Sequence, residues 1–160
     1  MSDRITQTAL DALATTAVRE VLARQFQVEA CAATPDLTAR GADAATLGAS
    51  VPLTGSALRG AVSLRLSPAL ARLLVERLVG QACGSPAEAQ DLCQELCNIL
   101  AGRMAATLGH EGAVIELGTP SLLGPHMTGD TAPAADLIHS SHWLCEHEPL
   151  VFALELRTIP

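Results

Sequence analysis

Asp91, Glu95, Asn98 and Gly102 are the residues of this chain whose types and spacing could share a chemical task. On an α-helix each residue turns by about 100°, so the four fall within a strip about 60° wide along one face. An exposed carboxylate such as Glu95 is ionised at neutral pH. Asn98 stands one turn away on the same face, and its amide accepts a hydrogen bond through the carbonyl and donates through the NH₂ without a charge that would repel an anion. Leu92, Leu96, Leu100 and Met104, with Cys93 and Cys97 among them, occupy the other side and form the natural core stripe. The helix is then anchored by leucines and presents a carboxylate and an amide outward. Ala101, Ala105 and Ala106 border the strip, which predicts a shallow surface that lets another protein's backbone come close. A bare Glu-x-x-Asn is a weak signal by itself, because two solvated helix residues leave the same trace.

The elements around this strip follow from local signals. Ser85-Pro86-Ala87-Glu88 combines an N-cap, a first-turn proline and a capping-box glutamate, so a helix is predicted from Ser85 to Leu108, stopped at Gly109. Ser67-Pro68 opens an earlier helix through Leu78, which Gly80 can end in a left-handed conformation. Val51 and Leu53, then Val62, Leu64 and Leu66, alternate with small or polar residues around a Gly55-Ser56 turn, the pattern of an antiparallel hairpin. A first helix is predicted from about Asp3 to Arg24, with Ile5, Leu13 and Val21 on its apolar face. Phe26, Val28 and Ala30 alternate as a short strand would, and no element is assigned between Thr34 and Gly48. Ala113 to Leu117, Leu137 to Cys145 and Leu150 to Leu156 read as three strands, the last two joined around Glu148-Pro149. The order is α-β-β-α-α-β-β-β with room for an extra short strand after the first helix. It predicts one α+β domain over residues 1–160, a largely antiparallel sheet packed with helices.

Composition narrows the function classes. At 160 residues, 49% hydrophobic and 17% charged, the chain can bury a core without staples. A formal charge of −7, two Phe, one Trp and no Tyr speak against a nucleic-acid partner. No run approaches the ~20 apolar residues of a membrane span, and the opening Met1-Ser2-Asp3-Arg4 is not a signal-peptide core, so a cytoplasmic protein without membrane insertion is expected. Five cysteines, at 31, 83, 93, 97 and 145, read as reduced thiols rather than a disulfide framework, with Cys93 and Cys97 packed in the core. His139, His142, Cys145 and His147 invite a metal reading. Strand alternation lets His139, Cys145 and His147 share a side while His142 points away, and no Cys-x-x-Cys or His-Glu-x-x-His accompanies them, so no metal site is assigned. A Walker loop, a dinucleotide fingerprint and a nucleophile elbow are missing from the sequence.

The segment D-L-C-Q-E-L-C-N-I-L-A-G, Asp91 to Gly102, resembles the signature of the CheC/CheX chemotaxis phosphatases. There an acidic or Ser residue, then Glu, then Asn lie along one helix and a proline follows; Pro120 occupies that place here. Upstream, L-T-G-S-A-L-R-G-A-V-S-L from Leu53 to Leu64 and a helix ending Leu78-Val79-Gly80 resemble the family's hairpin and helix. The resemblance spans about residues 47 to 120 and implies a CheC-like fold. It also implies a hydrolase acting on the aspartyl-phosphate of a CheY-like response regulator receiver domain, in chemotaxis or related two-component signalling. The partner supplies its own aspartate and Mg²⁺, so no cofactor bound by this chain is expected. Phosphoryl transfer needs a water placed in line and charges held in position more than covalent help from the protein. The resemblance assigns the catalytic parts to Glu95, which pairs with the lysine beside the partner's phosphorylation site, and to Asn98, suited to the water. Asp91 and Gly102 are assigned to partner binding. Larger members carry the Glu-x-x-Asn pair twice; the first helix here has Glu20 but Ala23 three residues later, which fits the single-site, CheX-like branch. A homodimer through a sheet edge or exchanged strand is implied as well. The rival reading is a non-catalytic adaptor that docks a receiver domain or flagellar switch component through the same helix face.

Overall fold

The computed structural model describes residues 5–39, 46–109, 114–124 and 135–159. Its elements are α1 (Gln7–Phe26), β1 (Ala30–Ala32), α2 (Pro35–Ala39), β2 (Leu47–Gly55), β3 (Leu58–Leu66), α3 (Pro68–Val79), α4 (Pro86–Leu108), β4 (Ile115–Leu117), β5 (Ser121–Leu123), β6 (Leu137–Cys145) and β7 (Glu148–Thr158). The strands form one antiparallel sheet in the order β1-β6-β7-β3-β2-β4, with β5 also pairing to β2. The α+β class, the antiparallel sheet and its helical cover are those the sequence predicts.

Period-two patterning decides which face of the sheet is covered. The register sets Val51 opposite Val62 and Leu64 opposite Phe152, so Ala49, Val51, Leu53, Val62, Leu64, Phe152 and Leu154 line one face, and all are buried. α4 lies on β2 and β3, α1 on β6, and α3 packs against α4, all on that face. α2 sits on the opposite face, where Thr38 Oγ1 is 2.6 Å from His142 Nδ1. At Gly60 a Cβ would come within 2.0 Å of the Glu155 carbonyl oxygen, so the β3–β7 pairing requires glycine there. Ser67 serves two elements: its Oγ accepts from Leu70 N at 3.0 Å as the cap of α3 and donates to Glu148 Oε2 at 2.6 Å, at the start of β7.

Several boundaries differ from the sequence reading. Within the described residues α1 starts at Gln7, capped by Thr6, and runs on to Phe26, where Gln27 at φ 55° ends it; Asp3 lies outside the described residues. Phe26 and Val28 are therefore helix end and connection, and the short strand is Ala30–Ala32. The connection between Thr34 and Gly48 contains α2. Gly80 ends α3 in the left-handed region as predicted, at φ 76°, whereas Gly109 follows α4 at φ −81° without entering that region. The strand predicted from Ala113 is Ile115–Leu117, Ala113 lying outside the described residues, and β5 follows after Pro120 as a separate strand. The last hairpin turns at Glu146-His147, at φ 52° and 69°, rather than at Glu148-Pro149. Positive φ at both central residues is the two-residue turn whose twist matches that of the flanking strands.

Candidate functional site

The α4 helix starts where its capping residues place it. Ser85 is extended and its Oγ accepts from Glu88 N at 3.3 Å, Pro86 takes the first turn, and Glu88 Oε2 accepts from Gly84 N at 2.7 Å. Rotation about the helix axis is fixed by the core. Leu92, Cys93, Leu96, Cys97, Leu100 and Met104 are buried, and the Cys97 thiol donates to the carbonyl oxygens of Ala49 and Val62, 3.6 Å from each, on β2 and β3. Burial pushes the Cys93 and Cys97 thiols up to about 12, so both pack as neutral side chains.

With that face inward, Asp91 and Glu95 are exposed and Asn98 and Gly102 half-buried along the outward strip. Leu96 and Leu100 point into the core, as the spacing requires. The alanines behave differently from the expectation: Ala101 and Ala105 are buried and only Ala106 is exposed. Gly102 adds no side chain to the strip, and a Cβ there would meet only Leu117 Cδ1 at 3.8 Å. Asp91 and Glu95 take part in no ion pair among the described residues. Glu20 of α1 does, with Arg103 of α4, and the residue three positions on is the exposed Ala23, so Glu20 has no asparagine to complete a second Glu-x-x-Asn pair. Pro120 is half-buried between β4 and β5.

The histidine and cysteine residues of the last hairpin do not converge. His139 is buried on the helix-covered face, where its Nδ1–H donates to Asp11 Oδ1 at 2.8 Å, and Cys145 is buried with its thiol pushed up to about 12 by desolvation. His142 faces Thr38 on the other side of the sheet, and His147 is exposed in the turn. The expectation that His139, Cys145 and His147 share a side fails at His147, because the turn falls there. Among the described residues no group of three or more His, Cys, Asp or Glu side chains could hold a metal ion.

Sequence reasoning missed a groove of about 370 Å³ between α3 and α4, lined by the apolar Val75, Leu78, Val79, Ala82 and Leu92, by Gln81, and by the carboxylates Glu88, Asp91 and Glu95. Its signal was present as the apolar pair Leu78-Val79 directly before the helix-ending Gly80.

A long helix packed with two others on one face of an antiparallel sheet gives the chain a CheC-like fold. It is similar to a CheC-like superfamily protein from Shewanella sp. PV-4, with a TM-score of 0.73 at 15% identity over 91% of this chain and 96% of that one. It is similar too to the chemotaxis protein CheX of Vibrio vulnificus, with a TM-score of 0.76 at 14% identity over 95% and 99% of the two chains. A third solved structure, the CheX-CheY-BeF₃-Mg²⁺ complex from Borrelia burgdorferi, gives a TM-score of 0.71 at 17% identity over 96% and 99%. No curated protein sequence matches the chain. Residues 47–128, from β2 through α4 and beyond β5, match the family described as "Chemotaxis phosphatase CheX", and the chain belongs to that family.

Proposed function

We propose that this chain hydrolyses the aspartyl-phosphate of a CheY-like receiver domain, and the observation that carries the reading is the outward pairing of exposed Glu95 with half-buried Asn98 on α4. Membership of the CheX family supports it, as does a relative solved together with CheY, BeF₃ and Mg²⁺. In this reading the receiver holds the phosphoryl group and the Mg²⁺, and this chain binds no cofactor. The Asn98 amide accepts a hydrogen bond from the attacking water and steadies it in line with the bond to be broken. Glu95 pairs with the lysine beside the phosphorylated aspartate and sets the two proteins in register, while Asp91 and Gly102 lie along the docking strip. A strip without a side chain at Gly102 serves this arrangement, because the amide must reach into the partner's site.

The remaining proposals follow from the same assignment. The chain acts as a single domain in the cytoplasm; among the described residues no helix is long and apolar enough to cross a membrane. A homodimer would form through a sheet edge or an exchanged strand, and β1, which among the described residues pairs only with β6, offers such an edge. Decay of a phosphorylated CheY-like receiver domain from the same organism, followed with and without this chain, tests the function. Faster decay supports it; binding to the phosphorylated domain without any acceleration replaces it with the adaptor reading.

A further inference from the structure

Leu78 and Val79 close α3 with 52% and 63% of their surface exposed, whereas Leu70, Leu74 and Val75 of the same helix are buried. Gly80, at φ 76°, turns the chain away at once, so the two apolar side chains are left beside the groove they share with Val75 and Leu92. Three carboxylates line that groove from α4: Glu88, Asp91 and Glu95. Their spacing of three and four residues keeps them on one face. One Glu88 oxygen is engaged by Gly84 N, and none of the three has an ion-pair partner among the described residues. Glu95 belongs both to this lining and to the strip that carries Asn98, so whatever fills the groove touches the surface next to the reacting groups.

We propose that the α3–α4 groove is the specificity-determining dock of the receiver domain, taking an aliphatic side chain carried next to a lysine or arginine on the receiver's surface. The inference rests on the proposed phosphatase reading and names what that reading leaves open, how one receiver is told from another. Four branched aliphatic side chains and three carboxylates in one lining select that combination: burial of the aliphatic group supplies affinity. The carboxylates attract the adjacent cation and repel an acidic surface. Such a site acts on association rather than on the chemical step, since it makes the same contact before and during phosphoryl transfer.

The experiment uses the full chain and a phosphorylated CheY-like receiver domain from the same organism. Replacing both Leu78→Ser and Val79→Ser should raise KM about tenfold while leaving kcat within about twofold, the signature of lost uniform binding. Glu88→Gln, whose amide oxygen can still accept from Gly84 N, should raise KM less and weaken its dependence on salt. Unchanged KM in both variants overturns the proposal. If the unmodified chain speeds no decay, the phosphatase reading fails separately, and affinity for the beryllofluoride-activated receiver decides the groove. A roughly tenfold weaker Kd in the double variant keeps it, while unchanged affinity, or no binding by the unmodified chain, overturns it.

Discussion

Replacing Gly102 should make the protein more stable and, once the side chain is large, worse at its task. Gly102 lies well inside α4, half-buried, and a Cβ there meets only Leu117 Cδ1 at 3.8 Å, an ordinary van der Waals contact. No clash then offsets the helix propensity gained, so Gly102→Ala should stabilise by about 0.5–1 kcal/mol. For a chain of this length that is a rise in Tm of roughly 1–4 °C, read from thermal unfolding by circular dichroism. Gly102→Leu should fold as well, but its side chain stands one turn from Asn98 on the proposed docking strip and should raise KM for the phosphorylated receiver by about tenfold or more. A lower Tm for Gly102→Ala would refute the open space assigned next to the helix. An unchanged KM for Gly102→Leu would remove Gly102 from the docking face.

Leu96→Ala, at a fully buried position, should cost about 2–5 kcal/mol in urea unfolding, and a loss below about 1 kcal/mol would contradict the inward rotation of α4. In the native state a thiol reagent should modify exposed Cys31 first and half-buried Cys83 more slowly, with Cys93, Cys97 and Cys145 reacting only on unfolding. Rapid loss of all five thiols without denaturant would refute their burial. Asp11 is held below the ordinary carboxylate value of 3.8 chiefly by the hydrogen bond from His139, then by the Gln7 amide. Its contribution to stability is therefore complete above the unfolded value and lost as pH falls through the lower folded one. Asp11→Asn should flatten the acid side of the stability-against-pH curve below about pH 4, and a parallel curve would contradict it.

The legible parts of the molecule are those whose signals are local. α4 announces itself through Ser85, Pro86 and Glu88, and its leucine repeat fixes which way Glu95 and Asn98 face, so the strip could be read before any coordinates. The β2–β3 hairpin is legible for the same reason, by strict alternation. The parts that escaped depend on distant partners. α2 has five residues, and Thr38 meets His142 104 positions away; β5 is three residues, defined by pairing with Gly48, Ala49 and Ser50. Glu146 and His147 take a turn that usually displays Asn or Gly, so nothing in their types marks it. Ala101 and Ala105 were misplaced because alanine carries little hydropathy signal. In the structure both are buried.

The proposed phosphatase requires the Asn98 amide to act on the water rather than on docking. The direct measurement is the decay rate of a phosphorylated receiver domain at saturating amounts of the Asn98→Ala protein, with affinity for the phosphorylated receiver measured alongside. With the amide gone, the saturated rate should fall by about 10²-fold or more, roughly 2.7 kcal/mol of transition-state stabilisation, with affinity nearly unchanged. Full activity of Asn98→Ala against a receiver that the unmodified chain demonstrably dephosphorylates would contradict it.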